Sequence, residues 1–460
     1  MKRKQPSLWL ERKFDKTLLA WKEREDRLPL IVEGARQVGK TECVRHFAAK
    51  RYESFVEINF VERGEFKDIV RDGYSVESLV RNISQMEPRF RFVPGRTLIF
   101  FDELQEFPEI AASLKFFAQD GRFDVICSGS LLGIGVKRIK SLSVGYQETE
   151  TLRSLDFEEF LAARGYAPGQ IDDVFGTVRE GRALNEGVAG AYERLFLDYC
   201  ALGGMPEVVE SYFSKGTFEG VPAIQRRLLS DYRTDIRKYC EGLDPVRIQN
   251  VFDSIAPQLA KENKKFQLAA IERGARRKDY WGCVDWLVQA GVVNLCHRID
   301  LPELPLSAHV ENDFFKVYAS DTGILVSMLD RESQQDVRAR RNLGTWNGGL
   351  FENIVGEALV KGGEGLVYYK RDASPLEIDF ILRSGDCIVP VEVKAGSARS
   401  KSLRTLLDGG RHPAVRWGVK LVRGNVGFAN KILTLPQWCA FILPRLVADE
   451  DVRSGRAFRT

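Results

Sequence analysis

The residues of this chain best suited to chemistry begin with Gly34, Ala35, Arg36, Gln37, Val38, Gly39, Lys40 and Thr41, which satisfy the pattern GxxxxGK[ST] at every fixed position. Glycines let a backbone wrap a phosphate chain, and the helix start that follows aims N–H groups and a positive dipole end at it. Lys40 is then placed to reach the β- and γ-phosphates of ATP, and the Thr41 hydroxyl to ligate Mg²⁺. Thr97-Leu98-Ile99-Phe100-Phe101-Asp102-Glu103 is an apolar strand ending in two acids. Asp102 suits the Mg²⁺ acid opposite Thr41, and Glu103 suits the group that orients or deprotonates an attacking water. After the run Phe123 to Cys127 come Ser128 and Ser130, placed to sense a γ-phosphate; the competing reading is a plain helix N-cap by Ser130.

A second constellation lies more than 300 residues downstream: Asp379, Glu392 and Lys394, with Glu352, or else Glu357, on the helix before them. Gly385-Asp386 reads as a two-residue hairpin turn. That turn pairs Ser384 with Cys387 and, counting back, Asp379 with Glu392. Alternation sends Ile378, Phe380, Leu382, Val389, Val391 and Val393 to the core, and Asp379, Glu392 and Lys394 to the other face. Two carboxylates opposed at about 5 Å repel unless a cation lies between them, so Glu352, Asp379 and Glu392 are candidate ligands of a divalent metal. Lys394 is the candidate for stabilising phosphoryl charge or activating water. An ordinary solvated Glu-x-Lys ion pair is the competing reading. Lys40, Glu103 and Lys394 are thus the catalytic candidates.

The elements that must position these groups follow from periodicity. Leu28 to Val32 reads as a strand before the phosphate loop and Glu42 to Lys50 as a helix after it, with a further strand at Phe55 to Phe60. Strands alternating with helices predict a parallel sheet with its ligand at the carboxyl ends of the strands, closing near Glu148 to Leu155. From about 187 to 346 the pattern is mostly helical. Three helices, Arg247 to Leu259, Leu268 to Arg273 and Lys278 to Ala290, lead into a strand at 291–296 and a loop at 301–305. This order suits a winged helix, with Arg273, Arg276, Arg277 and Lys278 as its basic cluster; a packing module with a solvated basic turn is the alternative. From 350 the order is αβββαβ. The expected organisation is 1–185, a P-loop domain; 186–345, helical and winged-helix-like; 346–450, nuclease-like; and 451–460, a tail.

Composition sets limits. The chain has 460 residues, 44% hydrophobic and 29% charged, as expected of an ordinary globular protein. A net charge of +4 neither demands nor excludes a polyanion. Eight cysteines without CxxC spacing suggest buried thiols in a reducing, cytoplasmic setting. No apolar run approaches the roughly 18 residues of a membrane span.

The stretches GARQVGKT, FFDELQEFPE, CSGSLLG and LRSLDFEEFL resemble the N-terminal ATPase domain of a large prokaryotic family related to the AAA+ proteins. Leu202-Gly203-Gly204-Met205-Pro206-Glu207 resembles that family's GGxPE segment. Asp321-Thr322-Gly323, GGLFENIVGEAL, EIDFIL and VEVKAGS resemble its C-terminal domain, of restriction-endonuclease-like, PD-(D/E)xK type. The resemblance spans nearly the whole chain. It implies Lys40 and Thr41 as phosphate and Mg²⁺ contacts, Asp102 as Mg²⁺ acid, Glu103 as catalytic glutamate and Ser128 or Ser130 as sensor. Where relatives often carry Gly-Arg, this chain has Gly145-Tyr146, so an arginine acting in trans from that position is not implied; Arg138 and Arg153 are nearby. The expected function is an ATPase, using ATP and Mg²⁺, whose cycle controls a nuclease-like module acting on DNA or another nucleic acid. The alternative is an ATP-gated switch or scaffold with an inactive nuclease-like domain. A homo-oligomer is compatible with both, and no membrane partner is expected.

Overall fold

The computed structural model describes residues 9–130, 145–240, 242–261, 264–339, 341–342, 344, 346–372, 374–396 and 400–454. They form two compact units, one of residues 11–154 with 289–291 and one of the remainder.

The first unit is built on a parallel sheet of β1 (Leu30–Glu33), β2 (Ser54–Asn59), β3 (Thr97–Asp102), β4 (Asp124–Ser128) and β5 (Glu148–Thr151), in the order β2-β3-β4-β1-β5. Every residue of β3 is buried, as expected of a strand covered on both faces. Phe100 stacks on Phe55 and Phe101 on Phe60, while Ile99, Phe101, Leu104, Leu114 and Phe117 share one core. The helix Lys40–Arg51 turns Cys43, Val44, Phe47 and Ala48 inward. The helix Val76–Met86 is capped by the Ser75 hydroxyl and buries Val76, Leu79 and Ile83 at helical spacing. β4 separates the strand feeding the phosphate loop from the strand ending in Asp102. Ser128 therefore sits beside that acid.

The expected first domain ran to 185, but the compact unit ends at Ser154. Phe157, in the helix Phe157–Ala163, packs instead on Phe196, Tyr199 and Phe441 of the second unit. That unit joins the helical middle and the C-terminal segment, which were expected as separate domains.

Its glycines explain a motif. A Cβ at Gly204 would lie 1.9 Å from the Leu155 carbonyl oxygen, one at Gly203 2.2 Å from Asp321 Oδ1, and one at Gly323 2.1 Å from the Leu202 carbonyl oxygen. Asp321 accepts the Gly204 N–H at 2.8 Å, and Thr322 donates its N–H to Glu357 at 2.7 Å. GGxPE and Asp-Thr-Gly are therefore two halves of one close backbone contact, which a tight turn alone did not suggest.

The segment expected as a winged helix departs from that order of elements. Arg247 to Leu259 is two helices, Pro245–Asp253 and Ile255–Leu259, and the expected second helix shrinks to the 3₁₀ turn Leu268–Ala270. The N–H groups of Phe266 and Gln267 just before it are taken by the Phe315 carbonyl and the Gln258 side chain, which leaves only a short turn. The third helix is Arg277–Gln289, and Arg273, Arg276 and Lys278 are exposed. β6 (Val293–Ile299) and β7 (Val310–Ala319) form an antiparallel pair, but no free wing. β6 also pairs with β8 (Val367–Lys370), which pairs with β9 (Glu377–Ile378).

The segment expected as a single strand at 377–383 is broken at Asp379. Glu377 and Ile378 join the β6–β9 sheet, whereas β10 (Phe380–Ser384) joins a second sheet with β11 (Cys387–Val393), β12 (Gly418–Val422), β14 (Ile432–Pro436) and β13 (Gly427–Ala429). The αβββαβ order is present, but its strands are shared between two sheets.

Candidate functional sites: the phosphate loop and the C-terminal acidic cluster

At the end of β1 the chain turns through Gly34 with φ 144°, Gln37 with φ 62° and Gly39 with φ 97°, and the helix starts at Lys40. A Cβ at Gly34 would lie 2.0 Å from the Leu152 carbonyl oxygen, so only glycine fits. Gln37 takes the left-handed conformation at a cost of about 1–2 kcal/mol, and Glu103 does the same with φ 57°. Strain of this kind concentrates at functional sites. Lys40 is buried, and its Nζ donates to the Gly34 and Ala35 carbonyls at 2.9 Å each.

Asp102 lies at the carboxyl end of β3, 1% exposed. Its Oδ2 accepts from Thr41 Oγ1 at 3.0 Å and from Asn59 Nδ2 at 3.0 Å, while its Oδ1 accepts from the Ser128 hydroxyl. Thr41 and Asp102 are therefore in contact, and Ser128 is bound to the acid. Glu103, next in the chain, accepts a hydrogen bond from Gln105. Ser130 ends the described segment, so its capping alternative falls, like Arg138, outside the described residues. Asn59 was missed. Its Oδ1 accepts the Val61 N–H at 2.9 Å, which fixes the amide against Asp102, and the one signal available was a polar residue ending a strand beside β3.

These residues fit a nucleotide. The glycine-shaped turn, the helix start and Lys40 would hold the phosphates, and Thr41 with Asp102 would hold Mg²⁺, which when bound supplies charge neutralisation at the phosphate oxygens.

In the second unit, Glu352 lies on the helix Trp346–Lys361 and is 1% exposed. Its Oε1 accepts from Lys316 at 2.8 Å and from the Tyr318 hydroxyl at 2.6 Å, and its Oε2 pairs with Lys264. Burial pushes its pKa up, but Lys316 and Lys264 outweigh that and hold it at about 2. Lys316, buried too, also meets Glu377 at 2.8 Å, and Glu377 meets Lys370 at 2.9 Å. Asp379 accepts the Val393 N–H at 2.8 Å. Burial, with Glu352 adding to it, raises its pKa to about 6. Lys394 pairs with Glu392 at 2.7 Å, and the other Glu392 oxygen is buried without a hydrogen-bond partner.

Three expectations change here. The hairpin has the expected register from Ser384↔Cys387 to Phe380↔Val391, but the ladder stops there, so Asp379 is not strand-paired with Glu392. Its carboxylate takes the Val393 N–H where the chain passes from one sheet to the other. The face expected to be polar is largely buried, because Ile381 and Ile388 pack under Leu403, Leu406 and Leu407. Glu352, Asp379 and Glu392 do not assemble a metal site, since among the described residues no group of three or more His, Cys, Asp or Glu is arranged to hold an ion. The reason is local: lysines occupy Glu352, and Lys394 occupies one side of Glu392. Glu352, not Glu357, belongs to this cluster, because Glu357 is taken up by Thr322 and Tyr199. Lys264, Lys316, Tyr318 and Glu377 were not anticipated.

A phosphate loop and a buried strand-end acid on a parallel sheet define a P-loop ATPase. More particularly, residues 26–161 match the family model described as an AAA domain, and this part of the chain is an AAA-type ATPase domain. Residues 193–335 match a domain of unknown function, DUF8612, and residues 347–438 another, DUF4143. No curated protein gives a significant match. Among solved structures, the Walker-type ATPase paby2304 of Pyrococcus abyssi is 15% identical over 70% of this chain and 98% of its own, with a TM-score of 0.43. The Aeropyrum pernix ORC1 protein in complex with DNA is 15% identical over 73% and 94%, with a TM-score of 0.28. Drosophila ORC bound to DNA is 14% identical over 71% and 93%, with a TM-score of 0.24. Among the described residues, no helix is long and apolar enough to cross a membrane.

Proposed function

We propose that this ATPase is a nucleotide-operated switch. Lys40, Thr41 and Asp102 hold MgATP, Glu103 directs water at the γ-phosphate with Ser128 or Ser130 as sensor, and the second unit, nuclease-like in its order of elements, recognises nucleic acid without cutting it. The observation that carries the recognition role is the state of Glu352: two lysines and a tyrosine hydroxyl already satisfy the carboxylate that a nuclease would lend to a metal. The exposed Arg273, Arg276 and Lys278 supply a phosphate-contacting edge, and DNA is the partner we favour. The carrying experiment compares wild type with Lys40→Ala and Asp379→Asn for cleavage of plasmid and single strands in Mg²⁺ or Mn²⁺, with and without ATP. The expected result is ATP hydrolysis lost in Lys40→Ala and no cleavage by any variant.

A second reading, an ATP-controlled PD-(D/E)xK nuclease using Glu352, Asp379, Glu392 and Lys394, draws on the unpartnered buried oxygen of Glu392 beside Lys394. Metal-dependent cleavage that disappears in Asp379→Asn or on substituting Lys394 would establish it and overturn the first.

A further inference from the structure

Arg12 precedes the helix Phe14–Glu23 and lies outside the segment 26–161 that matches the AAA domain. It is 7% exposed, and its guanidinium bridges two carbonyls: one terminal nitrogen donates to Val38 at 3.0 Å and the other to Arg153 at 2.6 Å. Val38 is in the phosphate loop, and Arg153 follows β5. At the other end of the loop, Gly34 lies against the carbonyl of Leu152. Residues 152 and 153 thus brace the loop twice, once by backbone contact and once through Arg12.

The brace acts on a specific peptide. The Val38 carbonyl and the Gly39 N–H belong to one planar trans peptide and point in opposite directions. A guanidinium that fixes the carbonyl fixes the direction of the Gly39 N–H, the last loop amide before Lys40. Arg12's fork suits the task, since it can hold two carbonyls at once where an ammonium is a single point charge.

Resting on the ATPase reading, we propose that Arg12 is a positioning residue for nucleotide binding, a clamp that holds the phosphate loop in its phosphate-receiving shape without touching the ligand. A clamp on the loop serves ground and transition states alike, so its loss raises KM and leaves kcat nearly unchanged.

The test measures MgATP affinity by calorimetry and steady-state hydrolysis for wild type, Arg12→Ala, Arg12→Lys and Lys40→Ala, each with its melting temperature in the absence of nucleotide. We expect KM and Kd to rise about tenfold in Arg12→Ala with kcat within threefold, the size of effect that losing charge-assisted hydrogen bonds gives. Arg12→Lys, which keeps the charge, recovers part of that loss at an unchanged melting temperature. If Arg12→Ala does not fold, Arg12→Lys decides, with an expected threefold or greater loss of affinity. Wild-type affinity within twofold in the folded variants, or a fall in kcat at constant KM, overturns the clamp while the ATPase reading stands. Wild-type protein that binds no MgATP overturns that reading and the clamp with it.

Discussion

Asp102 and Glu352 are both 1% exposed and both receive three side-chain hydrogen bonds, yet the donors differ in kind. Asp102 is held by two hydroxyls and an amide, neutral donors that orient the carboxylate without themselves cancelling its charge. Glu352 is held by two ammonium groups and a phenol, which cancel it. A buried carboxylate is costly unless something cationic pairs with it. On the proposed reading the first acid receives a cation from solution, whereas the second already has its cations within the chain.

The largest effect that separates the two is on stability. Glu352→Ala leaves Lys316 and Lys264 without their shared partner, and breaking a buried pair in this way costs about 3–5 kcal/mol. Lys316 keeps Glu377, so the lower end of that range is expected. Urea unfolding measures it, and an unchanged midpoint would mean that the lysines are not neutralising Glu352. Asp102→Asn should do the opposite. The amide keeps an oxygen for neutral donors, so stability changes by less than about 1 kcal/mol, while ATP hydrolysis falls about 100-fold, equivalent to about 2.7 kcal/mol of barrier. If Asp102→Asn unfolds the protein while Glu352→Ala does not, the contrast is reversed.

The two sites were not equally legible in the sequence. The nucleotide site was legible because its parts are contiguous: eight loop residues, a strand ending in Asp102-Glu103, and Ser128 ending the strand next to it. Asn59, one strand further out, carries no local mark. The C-terminal cluster was half legible. Glu392 stands on a recognisable hairpin with Asp379 just before it, but Lys264 and Lys316 lie 88 and 36 residues before Glu352 in the chain. Lys316 follows Phe314-Phe315 in a run that gives no hint of complete burial. Cancellation of charge is a tertiary fact, as is the break at Asp379, which interrupts a run that reads as one strand from Glu377 to Arg383.

The smallest effect tests that break. Asp379 ionises at about 6 in the folded protein against an ordinary value of 3.8, because burial and the neighbouring Glu352 oppose its charge. A raised carboxylate pKa means that the folded state binds the proton more tightly than the unfolded chain. Its stabilising contribution is full below the unfolded pKa and is lost as pH rises through about 6. An asparagine side chain in its place does not titrate, so it contributes no such dependence. The stability of Asp379→Asn relative to wild type should therefore improve by about 1 kcal/mol between pH 5 and pH 8. Parallel pH profiles for the two proteins would show that Asp379 is already ionised at acid pH, as expected if a cation sits beside it. That result would move the C-terminal cluster toward the behaviour of Asp102 and favour the nuclease reading over the switch.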